Sequence, residues 1–220
     1  MLNNKIVAVI PFFNEEERIV EVVTKTAKYV DLIIAVDDGS MDKSSDMISQ
    51  LNLPIIIIGN GINEGKGSAL KKGFMKSIEL NSFFTITLDA DLQHPPELIP
   101  QFINESKNFD IVIGNRRKSK SDMPTHRRLS NQITSFLLSK KTDYKILDSQ
   151  CGYRLYKTEI LKNIMTSFNG FEAESEIIVN ASYQKLKIGF LTIPTIYGTE
   201  KSKMRPFNAI IGFLKVLFFR

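Results

Sequence analysis

The chain has 220 residues, 43% of them hydrophobic and 24% charged, with a formal net charge of +5 and one cysteine. That composition excludes a disordered chain and an internal disulfide, and it suits one domain around one sizeable core. A basic balance suits an anionic partner, whether nucleic acid, a phosphorylated substrate or a membrane surface, and the lone Cys151 fits a reducing compartment.

The first half alternates between two periodicities. "KIVAVIPF" predicts a strand by its β-branched run, and "EEERIVEVVTKTAKYV" has helical spacing. "DLIIAVDDGS" predicts a second strand ending in acids, and "MDKSSDMISQL" a helix with Ser40 as N-cap. "LPIIIIGN" reads as a third strand buried on both faces, followed by a helix in "GKGSALKKGFMKSIEL". "SFFTITLD" is a fourth strand, "PPELIPQFINES" a helix opened by prolines, and "FDIVIGNRR" a fifth strand. Alternation of this kind predicts an α/β fold, a mostly parallel sheet with helices on both faces. After Arg117 the regularity stops. "KSKSDMPTH" is a polar loop, "RRLSNQITSFLLSK" and "ESEIIVNASYQKL" are helical, and "KIGFLTIPTIY" returns to strand.

No run reaches the roughly 18 apolar residues of a spanning helix, and the start carries no signal peptide. The terminal "FNAIIGFLKVLFFR" is strongly apolar. Helical spacing puts Phe207, Ile210, Ile211, Leu214, Leu217 and Phe218 on one face, with Asn208, Gly212 and Lys215 on a narrow polar strip. Such a segment is suited either to lie in a membrane interface or to pack on the domain's own core, and Lys201, Lys203 and Arg205 just before it suit a phosphate headgroup or anionic lipids, which favours the interface.

In open parallel sheets, ligands bind outside the carboxyl ends of the strands. Four polar clusters fall at four such ends: "PFFNEEE", "DDGS", "NGINEGKG" and "DADLQH". Asp89 and Asp91 lie at i and i+2 and repel each other unless a hard cation neutralises them, which points to Mg²⁺ or Mn²⁺. Asp37 and Asp38 either accept hydrogen bonds from a nucleoside or close an Asx turn over Gly39. Asn14 and Glu15 open the first helix, where Glu16 and Glu17 suit the helix dipole. "NEGKG" is not a phosphate loop, because Asn60 stands where that pattern needs glycine and Gly67 where it needs Ser or Thr. It still offers Lys66 and a helix N-terminus to an anion. His94 and His126 read as surface or capping residues, and Cys151 as a small packed side chain.

Together, in this order, "IPFFNEE", "VDDGSMD", "NEGKGSAL", "LDADLQHPPE", "DSQCGYRLY" and "IPTIYGTEKSK" resemble the family 2 inverting glycosyltransferases of the GT-A (Rossmann-like) fold. The nearest branch is similar to the polyprenol-phosphate sugar transferases of the dolichol-phosphate mannose synthase type. The resemblance implies a mixed, mostly parallel sheet over residues 1–205 and a membrane-associated amphipathic helix over 206–220. It implies a nucleotide-sugar donor held by Pro11, Asn14, Glu15, Asp37, Asp38, Lys66 and Asp89, and a metal on Asp89 and Asp91 with Gln93 beside them. Catalytic roles fall to Asp91, Asp89 and Glu174, the last in an acidic "FEAESEI" segment it shares with Glu176. Arg117, Arg127 and Arg154 lie in segments linked to phosphate binding, and Lys203 joins them toward a lipid-phosphate acceptor. A hydroxyl acceptor would need a general base, such as Glu174 or Asp148, and a phosphate acceptor would need none.

The larger members of the branch carry membrane-spanning helices after this domain, and this chain has none. The resemblance therefore implies an enzyme peripheral on the cytoplasmic face of the membrane, with no nucleic-acid partner. Competing readings are a glycan hydroxyl acceptor, a sugar-1-phosphate nucleotidyltransferase, disfavoured by the "IPFFNEE" opening, and a non-catalytic membrane-surface binder.

Overall fold

The apolar runs of the first half become strands because β-branched side chains pack well on a pleated, covered surface. The computed structural model describes residues 4–59, 61–116, 125–194 and 206–219. Its strands are β1 (Ile6–Phe12), β2 (Leu32–Asp37), β3 (Ile55–Gly59), β4 (Phe84–Thr87), β5 (Ile111–Asn115), β6 (Arg154–Lys157) and β7 (Ile188–Thr192). The helices are α1 (Ile19–Thr26), α2 (Ser44–Ser49), α3 (Lys66–Glu79), α4 (Ile99–Glu105), α5 (Thr125–Thr142), α6 (Leu161–Ile164), α7 (Ala173–Tyr183) and α8 (Pro206–Phe219).

The strands form one sheet in the order β3-β2-β1-β4-β6-β5-β7. Within it β1 pairs parallel with β2 and β4, β2 with β3, and β5 with β7. Only β6 runs against its neighbours, between β4 and β5. Three expectations shift here. The "IIII" strand β3 lies at the edge of the sheet and is half-buried, since it has one neighbour to cover it. β6 was not foreseen, because four residues reading Arg-Leu-Tyr-Lys carry no strand period. Ser40 does not cap α2, which begins at Ser44.

The core lies on both sheet faces around β1, β2, β4 and β5. Phe74 of α3 meets Tyr156 of β6 edge to face, with ring centroids 5.3 Å apart. Truncating a buried ring of this kind costs roughly 3–5 kcal/mol. This core holds the carboxyl ends of β1, β2 and β4 side by side, and the polar clusters meet there.

Candidate active site

The loops after β1 and β2 are laced together by short polar side chains. Asn14 stands in the left-handed region at φ 51°. Its Oδ1 accepts from the Met41 amide, while its own amide donates to Ser40 Oγ. The Glu15 amide donates to Ser44 Oγ. Asp37 accepts from the Ser40 amide, three residues on, and so closes the turn from its own side chain. Gly39 turns the chain at φ 81°, where a Cβ would stand 2.5 Å from the Ile62 backbone. Asn14 and Glu15 thus precede α1, which starts at Ile19, so Glu16 and Glu17 are not its first-turn acids.

Asp38 reaches further. Its carboxylate accepts from the amides of Glu64 and Gly65 at 2.9 Å each, fixing the loop that leads into α3. The amides of Gly67 and Ser68 are occupied as well, since both donate to the Asn169 carbonyl. The first turn of α3 is capped from within, so the expected anion site at this terminus is taken by the protein. What the loop presents is Lys66.

Lys66 Nζ lies 2.6 Å from Asp89 Oδ1 and 3.0 Å from Glu174 Oε1. Asp89 follows β4 and Glu174 sits in the first turn of α7, so one ammonium ties three elements together. Gly152, just before β6, gives Asp89 its space: a Cβ there would stand 2.6 Å from Asp89 Oδ2. On the other side, His94 Nε2 is 3.9 Å from Asp89 Oδ2. The His94 ring is buried against Tyr153, and its Nδ1 has no hydrogen-bond partner. The expectation of a surface histidine is corrected by this packing. Asp91 lies two residues past Asp89, and its Oδ1 accepts from the Gln93 amide at 3.1 Å, across a turn with Leu92 at φ 62°.

The electrostatics divide the two aspartates. Burial opposes the charged form of Asp89, but Lys66, with Arg116 adding to it, outweighs burial and holds the carboxyl below its usual range. Burial likewise opposes a charged Lys66, and Asp89 and Glu174 reverse this and raise it. At Asp91 the Gln93 amide and the charge of Lys66 favour the ionised form too, but they are outweighed. Burial, then the charge of Asp89, push it up to about 7. Burial holds His94 down to about 4, so it is neutral at physiological pH.

Among the described residues, no three His, Cys, Asp or Glu side chains gather to hold a metal unaided. Two carboxylates, one pushed toward protonation by the other, still fit a Mg²⁺-like ion, which uses one or two carboxylates and takes its remaining ligands from water and substrate phosphates. Asp91 is the group whose charge such an ion would stabilise.

Behind this site lies a second polar group. Arg116 forms a two-pronged ion pair with Asp148, Nε to Oδ2 at 2.8 Å and a terminal nitrogen to Oδ1 at 2.9 Å. Asn131 also donates to Asp148, at 2.9 Å. Burial opposes its charge, Arg116 overrides burial, and the carboxyl stays below its ordinary range. Asp148, one of the two bases considered for a hydroxyl acceptor, is thus held charged and engaged by Arg116 and Asn131. Arg116 went unremarked in the sequence, although it directly precedes Arg117.

Arg154 is corrected too. It is fully buried and donates to the carbonyls of Cys151, Glu174 and Ser149 at 2.7–2.8 Å, so it braces the walls of the site and cannot meet an acceptor phosphate. Glu176 accepts from Thr166 and Ser167 and holds the 166–168 turn. Arg127 is half-buried in the first turn of α5, and Pro11 is buried in β1. Cys151 is buried, and burial pushes its thiol up to about 12, as an inert packed residue requires. Arg117, Lys201, Lys203 and Arg205 lie outside the described residues, as does the side chain of His126.

α8 departs from the expected polar strip. Gly212 faces inward, where a Cβ would stand 2.8 Å from Glu172, and Val216 is buried, while Lys215 is exposed. No helix among the described residues is long and apolar enough to cross a membrane.

Residues 7–165 match the glycosyl transferase family 2 domain. The chain belongs to glycosyl transferase family 2. A relative from Methanococcus voltae, a UDP-N-acetylglucosamine–dolichyl-phosphate N-acetylglucosaminyltransferase, is 34% identical over 97% of this chain and 94% of its own length. The undecaprenyl-phosphate 4-deoxy-4-formamido-L-arabinose transferase of Proteus mirabilis is also 34% identical, over 72% of this chain and 50% of that protein. Among solved structures, the glucosyl-3-phosphoglycerate synthase of Mycobacterium tuberculosis, crystallised with Mn²⁺, UDP and phosphoglyceric acid, superposes with a TM-score of 0.74. It covers 97% of this chain and 76% of that one at 17% identity, a likeness of fold, and the fold is that of the GT-A glycosyltransferases.

Proposed function

We propose that this family 2 enzyme moves a sugar, with inversion, from a nucleotide-diphosphate sugar to a polyprenyl phosphate at the cytoplasmic surface of a membrane. The observation that carries the reading is the Asp89–Lys66–Glu174 cluster beside Asp91, at the carboxyl end of β4. The names of the relatives support the acceptor class.

In this account the loops after β1 and β2, with Pro11, Asn14, Glu15, Asp37 and Asp38, form the nucleoside side of the cleft. Asp38 acts mainly through the backbone it holds at Glu64 and Gly65. Asp91 and Asp89, with Gln93 beside them, would hold Mg²⁺ or Mn²⁺, which would supply positive charge to the departing diphosphate. Lys66 sits where it can add a second positive charge to that diphosphate. Glu174 orients Lys66.

The state of two carboxylates supports a phosphate acceptor. Asp148 is engaged by Arg116, and Glu174 by Lys66. A hydroxyl acceptor needs a base to remove its proton, whereas a phosphate is already anionic and needs none. Arg127, together with Arg117 and Lys203, is the candidate set for that phosphate.

Metal-dependent hydrolysis of nucleotide sugars in the absence of acceptor tests the donor half. The expected result is slow turnover of one donor, abolished by chelator and by Asp91→Asn. Tight nucleotide binding without turnover would leave a binding protein in place of an enzyme.

A further inference from the structure

The two glycines that flank Lys66 make room for another part of the chain. A Cβ on Gly65 would stand 2.5 Å from the Asn169 carbonyl oxygen, and one on Gly67 would stand 2.5 Å from the Phe168 carbonyl oxygen and 2.7 Å from Ala173 Cβ. Side chains do not approach backbone that closely, so the two glycines form a seat for the 168–169 turn. Hydrogen bonds fill the seat. The Asn169 carbonyl accepts from the Gly67 amide at 2.6 Å and the Ser68 amide at 3.2 Å, and Asn169 Oδ1 accepts from Lys71 Nζ at 2.7 Å. Two of the donors that a helix start leaves open are thereby used. Lys66 is the first residue of α3, so the placement of this turn decides where its ammonium stands.

The 166–168 turn is held in its place by Glu176. That side chain is fully buried, on α7 beyond Glu174. Its Oε2 accepts from Thr166 Oγ1 at 2.5 Å, the Ser167 amide at 2.7 Å and the Phe168 amide at 3.3 Å, and its Oε1 accepts from Ser167 Oγ at 2.8 Å. Burial opposes the charge, and these donors overcome it, so the carboxyl lies below its ordinary range. Hydrogen bonds to a charged carboxylate are about twice as strong as neutral ones, which makes this a firm anchor. Positions i and i+2 of a helix face different ways, and the two acids divide accordingly: Glu174 meets Lys66, and Glu176 meets the turn.

We propose that Glu176 is a positioning residue for Lys66: its carboxylate anchors the 166–168 turn, the Asn169 carbonyl seats the first turn of α3, and the seat sets the ammonium between Asp89 and Glu174. This rests on the reading above, in which Lys66 faces the donor diphosphate, and it names the residue that places it. When the anchor is loosened, the first turn of α3 drifts and the ammonium leaves its two carboxylates. Glu176 touches no reacting atom, so its loss lowers turnover and leaves acceptor affinity nearly unchanged.

The test uses three variants of the full chain. Glu176→Ala removes the anchor, Glu176→Gln keeps its size and one acceptor oxygen, and Thr166→Val removes one donor at nearly constant shape. Melting curves confirm each fold, and Thr166→Val carries the test if Glu176→Ala does not fold. The first readout is the rate at which an N-hydroxysuccinimide ester of acetate labels the Lys66 amine, by mass spectrometry, together with amide exchange at Gly67 and Ser68 by NMR. Labelling and exchange are expected to be slow in wild type, at least about tenfold faster in Glu176→Ala and about threefold faster in Thr166→Val, with Glu176→Gln close to wild type and the amides of β1 and β4 unchanged throughout. Wild-type rates at these three residues in the folded variants would overturn the proposal. So would faster exchange spread evenly over β1 and β4, which would make Glu176 a residue of general stability. The second readout is sugar transfer from a panel of nucleotide sugars to a polyprenyl phosphate with Mg²⁺. In Glu176→Ala, kcat is expected to fall at least about tenfold with acceptor KM within about threefold, and a raised KM at unchanged kcat would overturn the route through Lys66. Absence of transfer by wild type from every donor would sink the glycosyltransferase reading, while the labelling and exchange rates still decide whether Glu176 places Lys66.

Discussion

The ammonium of Lys66 lies between Asp89, at 2.6 Å, and Glu174, at 3.0 Å, and joins the start of α3 to the end of β4 and the start of α7. All three side chains are more than two-thirds buried. Removing the cation leaves two carboxylates close together with little solvent to screen them. Lys66→Met is expected to destabilise the protein by roughly 3 kcal/mol, the lower end for breaking a buried pair, as read by denaturant unfolding at neutral pH. Restoring charge with Lys66→Arg recovers part of the loss. A Met variant as stable as wild type would show that the pair is not formed.

Asp91 gives the opposite sign. Its folded pKa of about 7 lies above the unfolded value of about 3.9. Without a cation, stability therefore declines as pH rises from the unfolded value through about 7, since the folded state holds the proton more tightly. Asp91→Asn removes this penalty. At pH 8 and in chelator, the variant is expected to be more stable than wild type, by up to about 4 kcal/mol, while losing at least a hundredfold in transfer. Thermal melting across pH, paired with an activity assay, checks both. Equal melting curves at pH 8 would contradict the assigned electrostatics.

His94 makes a third linkage. Burial lowers its pKa from 6.5 to about 4. The neutral ring contributes stability that is complete above pH 6.5 and is lost as pH falls toward 4. The contribution is on the order of 3 kcal/mol. His94→Gln is expected to flatten the melting temperature between pH 6.5 and 4. An unchanged slope would place the acid sensitivity in other groups.

Arg154 separates bracing from binding. Arg154→Met strips the donors from three buried carbonyls and is expected to cost about 3–5 kcal/mol of stability, more than any change in acceptor KM. Arg127→Ala is expected to do the reverse, raising acceptor KM with the melting temperature nearly constant. Kinetics at saturating donor, with unfolding curves on both variants, distinguishes the two. A stable Arg154→Met with a raised KM would return Arg154 to the acceptor site.

The sequence made the strand ends legible because hydrophobic period and turn chemistry are local. Asp89 and Asp91 follow an apolar run, and Gly39 follows two acids, so their positions could be placed before any packing was known. Long-range partners were not legible. Asp38 was readable as an acid at a strand end, but not as the clamp on Gly65, 27 residues later. β6 was hidden because its four residues gain their strand identity from β4 and β5 on either side. Arg154 resembled a surface phosphate ligand because composition does not show that Cys151, Glu174 and Ser149 turn their carbonyls toward it. Burial also separated His94 from the surface role that a lone histidine suggests.

The central claim is transfer of a sugar from a nucleotide donor to a prenyl phosphate through the Asp89–Asp91 site. Its most direct test is mass spectrometry of the lipid product when purified wild type and Asp91→Asn are given a panel of nucleotide sugars, a polyprenyl phosphate and Mg²⁺ or Mn²⁺. The account predicts a sugar-phosphoprenol from at least one donor with wild type, and none with Asp91→Asn or in excess chelator. Full product formation in chelator or by Asp91→Asn, or glycosylation of a hydroxyl acceptor with no prenyl-phosphate product from any donor, would contradict it.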